Sequence, residues 1–285
     1  MSTNRSIRRA STSGNGVEAA GMPAMIGRAD ACWQPARFRV LIIPVMAPLL
    51  RALYGGYALT TFLLAAVIAT ALLAVVPGQM RRRRLGRHIM RLTLLLIGVP
   101  VRVQGGLRLP ETPAVCVSNH ASQLDGLVLF ATLPARYTFV VRAESRRTLL
   151  FGFMLERVGV IWMDRADARS GSRAIRVLIR QLRAGRSVAM FPEGTIRPEP
   201  GLQPFKIGAF LLAAKAAVPL VPVWIRGTRV LFPDQARLPA RTALDLHVLE
   251  PIMPSGPSRE DARALLAQAR VNLLALGHEQ DRAAA

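Results

Sequence analysis

A histidine and an aspartate five residues apart have the clearest chemical potential in the chain. The apolar run "AVCVS" (residues 114–118) leads directly into "NHASQLD", which contains His120 and Asp125. A neutral imidazole can take a proton from an alcohol, and a carboxylate behind it can fix its tautomer and stabilise the imidazolium. Because this spacing also recurs by chance, the pair alone does not establish an active site.

A second run, "SVAMFPEGTIRPEPGLQPFKIGAF", could bind an anion. Its strand is predicted to end at Phe191, after which Pro192 turns the chain into the tight loop Glu193–Gly194–Thr195. Gly194 lets backbone amides approach a ligand, and two nearby cations, Arg197 and Lys206, suit a phosphate. Pro-Glu-Gly is also ordinary turn composition, so a solvated turn is the alternative.

Two further segments have polar or unusual residues at strand positions. "VGVIWMDR" ends a predicted strand at Met163 and presents Asp164 and Arg165 at its carboxyl end. "PLVPVWIRG" contains Pro222, which indicates an edge strand or a bulge. The chain lacks the Gly-x-Ser-x-Gly elbow of serine hydrolases and the glycine fingerprints of Rossmann and P-loop proteins, which disfavours all three classes.

The elements that must position these residues alternate between strands and helices. Helical patterns are clearest at 169–184 and 206–217. Apolar, strand-like runs occur at 114–118, 137–141, 158–163, 187–191, 219–225 and 242–249. This alternation predicts an α/β fold, a mostly parallel sheet flanked by helices. In such sheets ligands bind at the carboxyl ends of the strands, where all the motifs above are placed.

The N-terminal part differs in composition from the rest. Residues 1–36 are predicted to be a mobile tail, and residues 37–80 a membrane-embedded helical segment. The stretch 52–80 carries no charge, and a helix over 57–77 would rise roughly 30 Å, enough to cross a bilayer core. Since Gly55–Gly56 divides the apolar run and both flanks are basic, we expect a membrane helix hairpin that returns to its starting side; a single span is the alternative.

Arginines follow this apolar stretch at once. Residues 81–97 are predicted to form a basic interfacial helix in the headgroup layer, with an ordinary amphipathic helix packed on the catalytic domain as the alternative. The remaining residues, 98–285, are assigned to the catalytic domain.

Composition restricts the partners. The formal net charge is +21 and the hydrophobic fraction 51%. Aromatics reach only 6% and do not interleave with the basic clusters, which disfavours nucleic acid and favours an anionic membrane surface. Two cysteines, Cys32 and Cys116, provide neither a disulfide framework nor a metal cluster. A non-catalytic lipid-binding membrane protein is the alternative of another class.

Taken together and in order, four blocks resemble the motifs of the lysophosphatidic acid acyltransferase family: "NHASQLD", "GVIWMDR", "FPEGT" and "VPVWI". The linking "PFKIGAF" also matches, and the resemblance covers about residues 80–255. It implies that His120 is the general base and Asp125 its partner. It also implies that Glu193, Gly194 and Thr195 belong to a glycerol-phosphate site, with Arg165 as a further polar contact.

The resemblance also implies a reaction of the 1-acylglycerol-3-phosphate O-acyltransferase type. A fatty acyl group would pass from an acyl-carrier-protein or coenzyme A thioester to the sn-2 hydroxyl of 1-acyl-sn-glycerol-3-phosphate, giving phosphatidic acid in phospholipid biosynthesis. No metal or cofactor would be required, and nucleic acid would not be a partner. The expected location is a bacterial inner membrane, with the catalytic domain on the cytoplasmic side.

Two positions depart from the family pattern. Ile196 stands where relatives usually have an arginine, and Arg197 follows it; Arg142 takes a position that is commonly lysine. The second change keeps the charge but alters the geometry of phosphate binding. These departures leave open a different acceptor, such as a lyso-ornithine lipid or another lysophospholipid.

Overall fold

The structure is a computed structural model that describes residues 36–164, 168–197, 199–233, 236–277 and 279–283. It divides into two compact units, Met1–Pro44 and Val45–Ala285. The first unit has only the beginning of helix α1 among its described residues, so the predicted mobile tail lies outside them apart from Ala36. Arg165 also lies outside the described residues. Everything that follows concerns the second unit, except where α1 begins.

A mostly parallel sheet forms the centre of the second unit. Within the described residues its strand order is β1-β7-β6-β2-β5-β3-β4. All neighbours pair in parallel except β6 and β7. The strands are β1 Val101–Gln104, β2 Val115–Ser118, β3 Tyr137–Arg142, β4 Ile161–Met163, β5 Ser187–Met190, β6 Leu220–Arg226 and β7 Leu244–Val248. The predicted α/β class is therefore confirmed, and β1 is the strand that the apolar runs did not predict.

Helices cover both faces of the sheet. Their bounds are α1 Ala36–Val75, α2 Gln79–Leu96, α3 Asp125–Thr132, α4 Leu149–Val158, α5 Ala168–Arg183, α6 Gly208–Ala216, α7 Thr228–Leu231 and α8 Arg259–Gly277. Successive strand residues point to opposite faces, so Cys116 packs with residues of α1, α2 and α3, while Val115 and Val117 pack with α5, α6 and α8. The core therefore has two apolar layers, one on each side of the sheet.

Helix α1 is continuous where the sequence analysis expects both arms of a hairpin. It runs from Ala36 to Val75, and its segment Pro48–Val75 is long and apolar enough to cross a membrane, with a mean hydropathy of 2.4. Neither glycine of the Gly55–Gly56 pair has a positive φ. A Cβ on Gly55 would lie 2.7 Å from Leu238 Cβ, so this glycine allows close packing of the helix rather than a turn.

Helix α2 runs back along α1. Tyr54 and Tyr57 of α1 donate hydrogen bonds to the carbonyls of Ile97 (3.0 Å) and Leu96 (2.8 Å), so the middle of α1 lies beside the end of α2. The expected turn at Gly55–Gly56 is thus wrong, and the one candidate span among the described residues, Pro48–Val75, agrees with the single-span alternative.

The buried side of α2 packs on the catalytic domain, as in the alternative for residues 81–97. Arg83 is 2% exposed and donates to the carbonyls of Val158 (2.7 Å) and Gly159 (2.9 Å), while Arg91 donates to that of Ala131 (2.6 Å). The fixed positive charges thereby meet unpaired carbonyls at the ends of α4 and α3. A headgroup contact by the exposed side of α2 stays a prediction.

Pro222 lies in an interior strand and not at an edge. Strand β6 runs between β2 and β7. The pairing register changes opposite Pro222. Val223 pairs with Val248 and Leu220 bridges to Ile252, so the segment that faces β6 is one residue longer than β6 between these two pairs. This extra residue is a bulge, the second of the two predicted explanations, and it accommodates a residue without an N–H.

Candidate active site

The carboxyl end of β2 places His120. Each residue of Val115–Val117 is fully buried, which fixes the strand in the sheet. Asn119, directly before His120, makes two hydrogen bonds to β6. Its Nδ2 donates to the Ile225 carbonyl (2.9 Å), and its Oδ1 accepts from the Ile225 N–H (2.7 Å). The backbone that precedes His120 is therefore held between two central strands.

Asp125 binds the inner nitrogen of the histidine. Its Oδ2 lies 3.0 Å from His120 Nδ1 and also accepts from the backbone N–H groups of Ala121 (2.6 Å) and Ser122 (2.8 Å). The Asp125 side chain is fully buried, whereas that of His120 is 16% exposed. Since Nδ1–H donates to the carboxylate in the tautomer this geometry favours, the outer nitrogen Nε2 is left as the proton acceptor.

Phe191 fixes the plane of the imidazole. The two rings stack with centroids 4.0 Å apart and planes 14° from parallel. Among the residues the structure describes, no protein hydrogen bond to His120 Nε2 is found, and His120 lines a cavity. The arrangement can therefore present a basic nitrogen to a hydroxyl group that enters from that cavity.

Glu193 is buried behind the histidine. It is 4% exposed, and its Oε1 and Oε2 accept the backbone N–H groups of His120 (2.7 Å) and Gln203 (3.1 Å). Burial raises the pKa of Glu193 to about 7, against the lowering effect of these two hydrogen bonds. Its carboxylate thus joins two backbone segments and can position them, while its part in a glycerol-phosphate site stays a prediction.

The loop that Glu193 joins to His120 is anchored from the C-terminal helix. Arg270 of α8 is 7% exposed and donates to the carbonyls of Gln203 (2.6 Å) and Leu202 (2.8 Å). Its guanidinium also pairs with Asp281 and lies over the ring of Phe205 at 4.9 Å. A chain of contacts therefore runs from α8 through the loop and Glu193 to the backbone of His120.

An apolar cavity of about 470 Å³ opens beside His120. Its wall is built from α1, α2, α3, α4, the inner side of α5 and the ends of β3 and β5. The volume lies within the usual range for small-molecule sites, and the wall is mainly aliphatic and aromatic. Representative lining residues are Phe62, Met90, Phe130, Met154, Leu178 and Phe191.

Of the described cations that were predicted to bind phosphate, two line the cavity and one does not. Arg142 and Lys206 line the cavity together with His120 and Gly194. Gly194 has φ +75°, and a Cβ there would lie 3.1 Å from Lys206 Nζ, so glycine at this turn makes room for the ammonium group. The exposed Arg197 is not part of the lining, whereas Ile196 is.

Thr195 is likewise exposed and outside the cavity wall, and its hydroxyl lies 3.5 Å from the Ile196 carbonyl. The structure therefore brings His120, Asp125, Glu193, Gly194, Arg142 and Lys206 into one site. It leaves Thr195 and Arg197 at the rim.

Sequence reasoning missed Asn119 and Arg270. Asn119 stood inside the quoted motif, and an amide directly after a buried strand was a usable signal. Arg270 had no local signal for this role, since the two carbonyls of the loop that it binds lie 67 and 68 residues away along the chain.

The site presents an oriented histidine base at the carboxyl edge of an α/β sheet, facing an apolar cavity. The acyltransferase family profile matches residues 100–226. The human 1-acyl-sn-glycerol-3-phosphate acyltransferase alpha is 32% identical over 224 residues, covering 75% of this chain and 78% of the human protein. The chain thus belongs to the 1-acyl-sn-glycerol-3-phosphate acyltransferase family.

Two further comparisons extend this result. The chloroplastic 1-acyl-sn-glycerol-3-phosphate acyltransferase BAT2 of Brassica napus is 38% identical over 133 residues, which are 46% of this chain and 38% of the plant protein. The crystal structure of the 1-acyl-sn-glycerophosphate acyltransferase PlsC from Thermotoga maritima superposes with a TM-score of 0.65. The superposition covers 81% of this chain and 97% of the Thermotoga protein at 22% sequence identity, which shows that the two share a fold.

Proposed function

We propose that the protein transfers a fatty acyl group from a thioester of acyl carrier protein or coenzyme A to the sn-2 hydroxyl of 1-acyl-sn-glycerol-3-phosphate. The observation that carries this proposal is the oriented His120–Asp125 pair at an apolar cavity whose wall also holds Arg142 and Lys206. The names of the relatives support the same acceptor. We assign residues 98–285 to the acyltransferase domain and residues 37–80 to membrane attachment, at a bacterial inner membrane with the domain on the cytoplasmic side.

In the proposed mechanism His120 acts as the general base. Its Nε2 removes the proton of the acceptor hydroxyl while the oxygen attacks the thioester carbonyl and forms a tetrahedral intermediate. When the intermediate collapses, the carbon–sulfur bond breaks, and the imidazolium returns the proton to the departing thiolate. Asp125 stabilises the imidazolium between these two steps and holds the ring in place. Because the thioester is already activated, neither a metal nor a cofactor enters the sequence.

The apolar cavity would hold a fatty acyl chain. Burial of each methylene contributes about 0.8 kcal/mol, so a long chain gains much of its affinity there. At the same opening, Arg142 and Lys206 are the partners that the geometry favours for the acceptor's phosphate. This differs in part from the expectation based on the sequence, which named Arg197 and Lys206 as the cations that suit a phosphate, because Arg197 stands outside the cavity wall.

A second acceptor is favoured by one observation. Ile196 lines the cavity at the position where the family usually has an arginine. A lysolipid without that phosphate, such as a lyso-ornithine lipid, would lose less there than lysophosphatidic acid.

The test uses the purified full-length protein, both thioester donors and a panel of lysolipids, with products identified by mass spectrometry. Acylated lysophosphatidic acid is expected as the main product. His120→Ala should lower kcat by roughly 10²–10⁴, the usual loss when a general base is removed. The exposed His88 provides the control, since His88→Ala should leave turnover unchanged. Near-normal turnover by folded His120→Ala protein would contradict the mechanism.

The acceptor site is tested by a matched pair of arginine variants. Loss of a hydrogen bond to a charged phosphate is worth ~1.5–3 kcal/mol, so Arg142→Ala should lower kcat/KM for lysophosphatidic acid roughly tenfold to a hundredfold. Arg197→Ala should lower it far less, and neither change should much affect an acceptor that lacks the phosphate. A larger loss of kcat/KM in Arg197→Ala than in Arg142→Ala would indicate that the phosphate binds at Arg197, outside the cavity.

A further inference from the structure

The start of α4 exposes an unusual cluster of apolar side chains. Leu149 is 90% exposed, Leu150 46% and Phe153 39%. Single exposed leucines are ordinary on a soluble surface, but three large apolar side chains within five residues are not. We call residues 143–153, the 3-10 turn Ala143–Arg147 and the first turn of α4, the α4 tip.

Arginines border this apolar cluster. Arg142 and Arg147 are exposed, and Arg146 pairs with Glu156 across 3.0 Å on the side of α4. Glu144 is the acid within the tip itself. Apolar side chains flanked by arginines suit the boundary of a bilayer, where the leucines enter the acyl region and the guanidinium groups stay among anionic headgroups.

The α4 tip is a packed structure and not a loose loop. The Gly152 N–H donates to the Thr148 carbonyl at 2.6 Å, and a Cβ on Gly152 would lie 2.4 Å from the Arg146 carbonyl oxygen. The turn therefore lies directly against the first turn of α4. This close approach holds Leu149 and Leu150 outward.

Helix α4 also shares a cavity with the candidate membrane helix. The inner side of α4, including Phe151 and Met154, lines the same cavity as Phe62 and Ala66 of α1. At the other end of α4, Arg157 donates to the Leu73 carbonyl at the end of α1 (2.8 Å). The exposed apolar residues of the α4 tip therefore belong to a helix that borders the cavity and contacts α1.

From this arrangement we propose that the α4 tip inserts into the surface of the bilayer and forms one side of the opening through which a membrane lipid reaches the cavity. Its occupant is the lipid surface, because α4 contacts the candidate membrane helix and the border of the apolar patch is basic. The insertion itself is independent of the reaction. Only the delivery of the acceptor lipid rests on the function proposed above.

The first experiment measures insertion directly. An environment-sensitive fluorophore is attached to Leu149→Cys in the full-length chain carrying Cys32→Ser, while Cys116, which is fully buried, is retained. The matched control is Val271→Cys on α8, 64% exposed and on the other side of the sheet. Both proteins are bound to phosphatidylcholine–phosphatidylglycerol vesicles that contain lipids with a quencher on the acyl chain.

The fluorescence emission of the label at position 149 should shift to shorter wavelength and be quenched by the lipid quencher, and that of the label at position 271 should not. Equal quenching at both positions, or none at 149, would overturn the proposal. Quenching between labelled copies in the absence of vesicles would also overturn it, since the patch would then bind a second chain.

The second experiment separates delivery from chemistry. Leu149→Glu should raise the KM for an acceptor lipid presented in vesicles about tenfold, the order expected when one leucine no longer enters an apolar phase, with kcat unchanged. Val271→Glu should change neither constant. If position 149 is quenched but no lysolipid is acylated, the insertion stands and the proposed function fails. If acylation proceeds and position 149 stays in water, the insertion fails and the function stands.

Discussion

Replacement of Glu193 by glutamine tests whether this carboxylate positions the histidine or contacts the acceptor. Each of its oxygens accepts one backbone N–H, from His120 and from Gln203. Glutamine has one acceptor oxygen, so one of these N–H groups would face an amide N–H₂. An unsatisfied buried donor costs roughly 1–3 kcal/mol, and the backbone at His120 would shift to relieve it.

The effect on stability should depend on pH. Burial raises the pKa of Glu193 from 4.5 to about 7, so between these values the folded protein retains a proton that the unfolded chain has lost. The free energy of unfolding therefore falls as pH rises through this window and levels off above it, and the shift corresponds to roughly 3 kcal/mol. Glutamine does not titrate, so the free energy of unfolding of Glu193→Gln should not decrease in this way as pH rises.

The assay compares thermal unfolding of the wild type and Glu193→Gln in detergent from about pH 4.5 to about pH 8. The advantage of the wild type should be largest at the acidic end and shrink as pH rises, whereas Glu250→Gln, at an exposed glutamate, should parallel the wild type. In kinetics, kcat should fall more than the acceptor KM. A stability difference that is constant with pH would refute the raised pKa of Glu193, and a change confined to the acceptor KM would refute its positioning role.

Three further outcomes follow from the same contacts. Asp125→Asn should lower kcat by about 10²–10⁴, measured with saturating lysolipid, since the amide no longer stabilises the imidazolium; unchanged turnover would contradict the pairing. Arg270→Ala should lower both Tm and kcat because the loop behind Glu193 loses its anchor, and partial rescue by lysine would indicate that charge alone suffices. Arg83→Ala should reduce the free energy of unfolding by roughly 1–3 kcal/mol through lost carbonyl partners, while the exposed Arg84→Ala should change little in the same denaturant titration.

The predictable part of the fold consists of buried strands. Strands β2, β5 and β6 are short apolar runs because both of their faces are covered by helices, and such runs stand out in a sequence. Strand β1, with the sequence "VRVQ", is an edge strand whose residues are mostly exposed, so it carries no such run. Helices α3 and α4 were expected only as helical patterns between strands, without bounds, since "DGLVLFAT" and "LLFGFMLERV" are apolar over most of their surface and show little periodicity.

The predictable part of the site is local in sequence. His120 and Asp125 are five residues apart and directly follow a strand, so the turn itself brings them together. The contacts that hold them are not local: Asn119 pairs with a residue 106 positions later, and Arg270 reaches back 67 positions to Gln203. Such pairs depend on sheet order and helix packing, which no spacing rule encodes.

The positive charge of the chain has a structural explanation besides its partners. Arg83 and Arg91 of α2 donate to carbonyls at the ends of α4 and α3, and Arg157 of α4 donates to carbonyls at the end of α1. The carboxyl end of a helix carries partial negative charge, and the planar guanidinium offers five N–H donors in a fixed geometry, so one arginine can meet several carbonyls at once. Such arginines neutralise helix ends without an acidic partner, which accounts in part for the excess of 38 basic over 17 acidic residues.

Arg83 also remains protonated at neutral pH, although burial lowers its pKa to about 10. A basic run such as residues 81–91 therefore indicates a lipid surface only through the arginines that stay exposed, Arg81, Arg84 and Arg91, because its buried and half-buried members are part of the packing between helices.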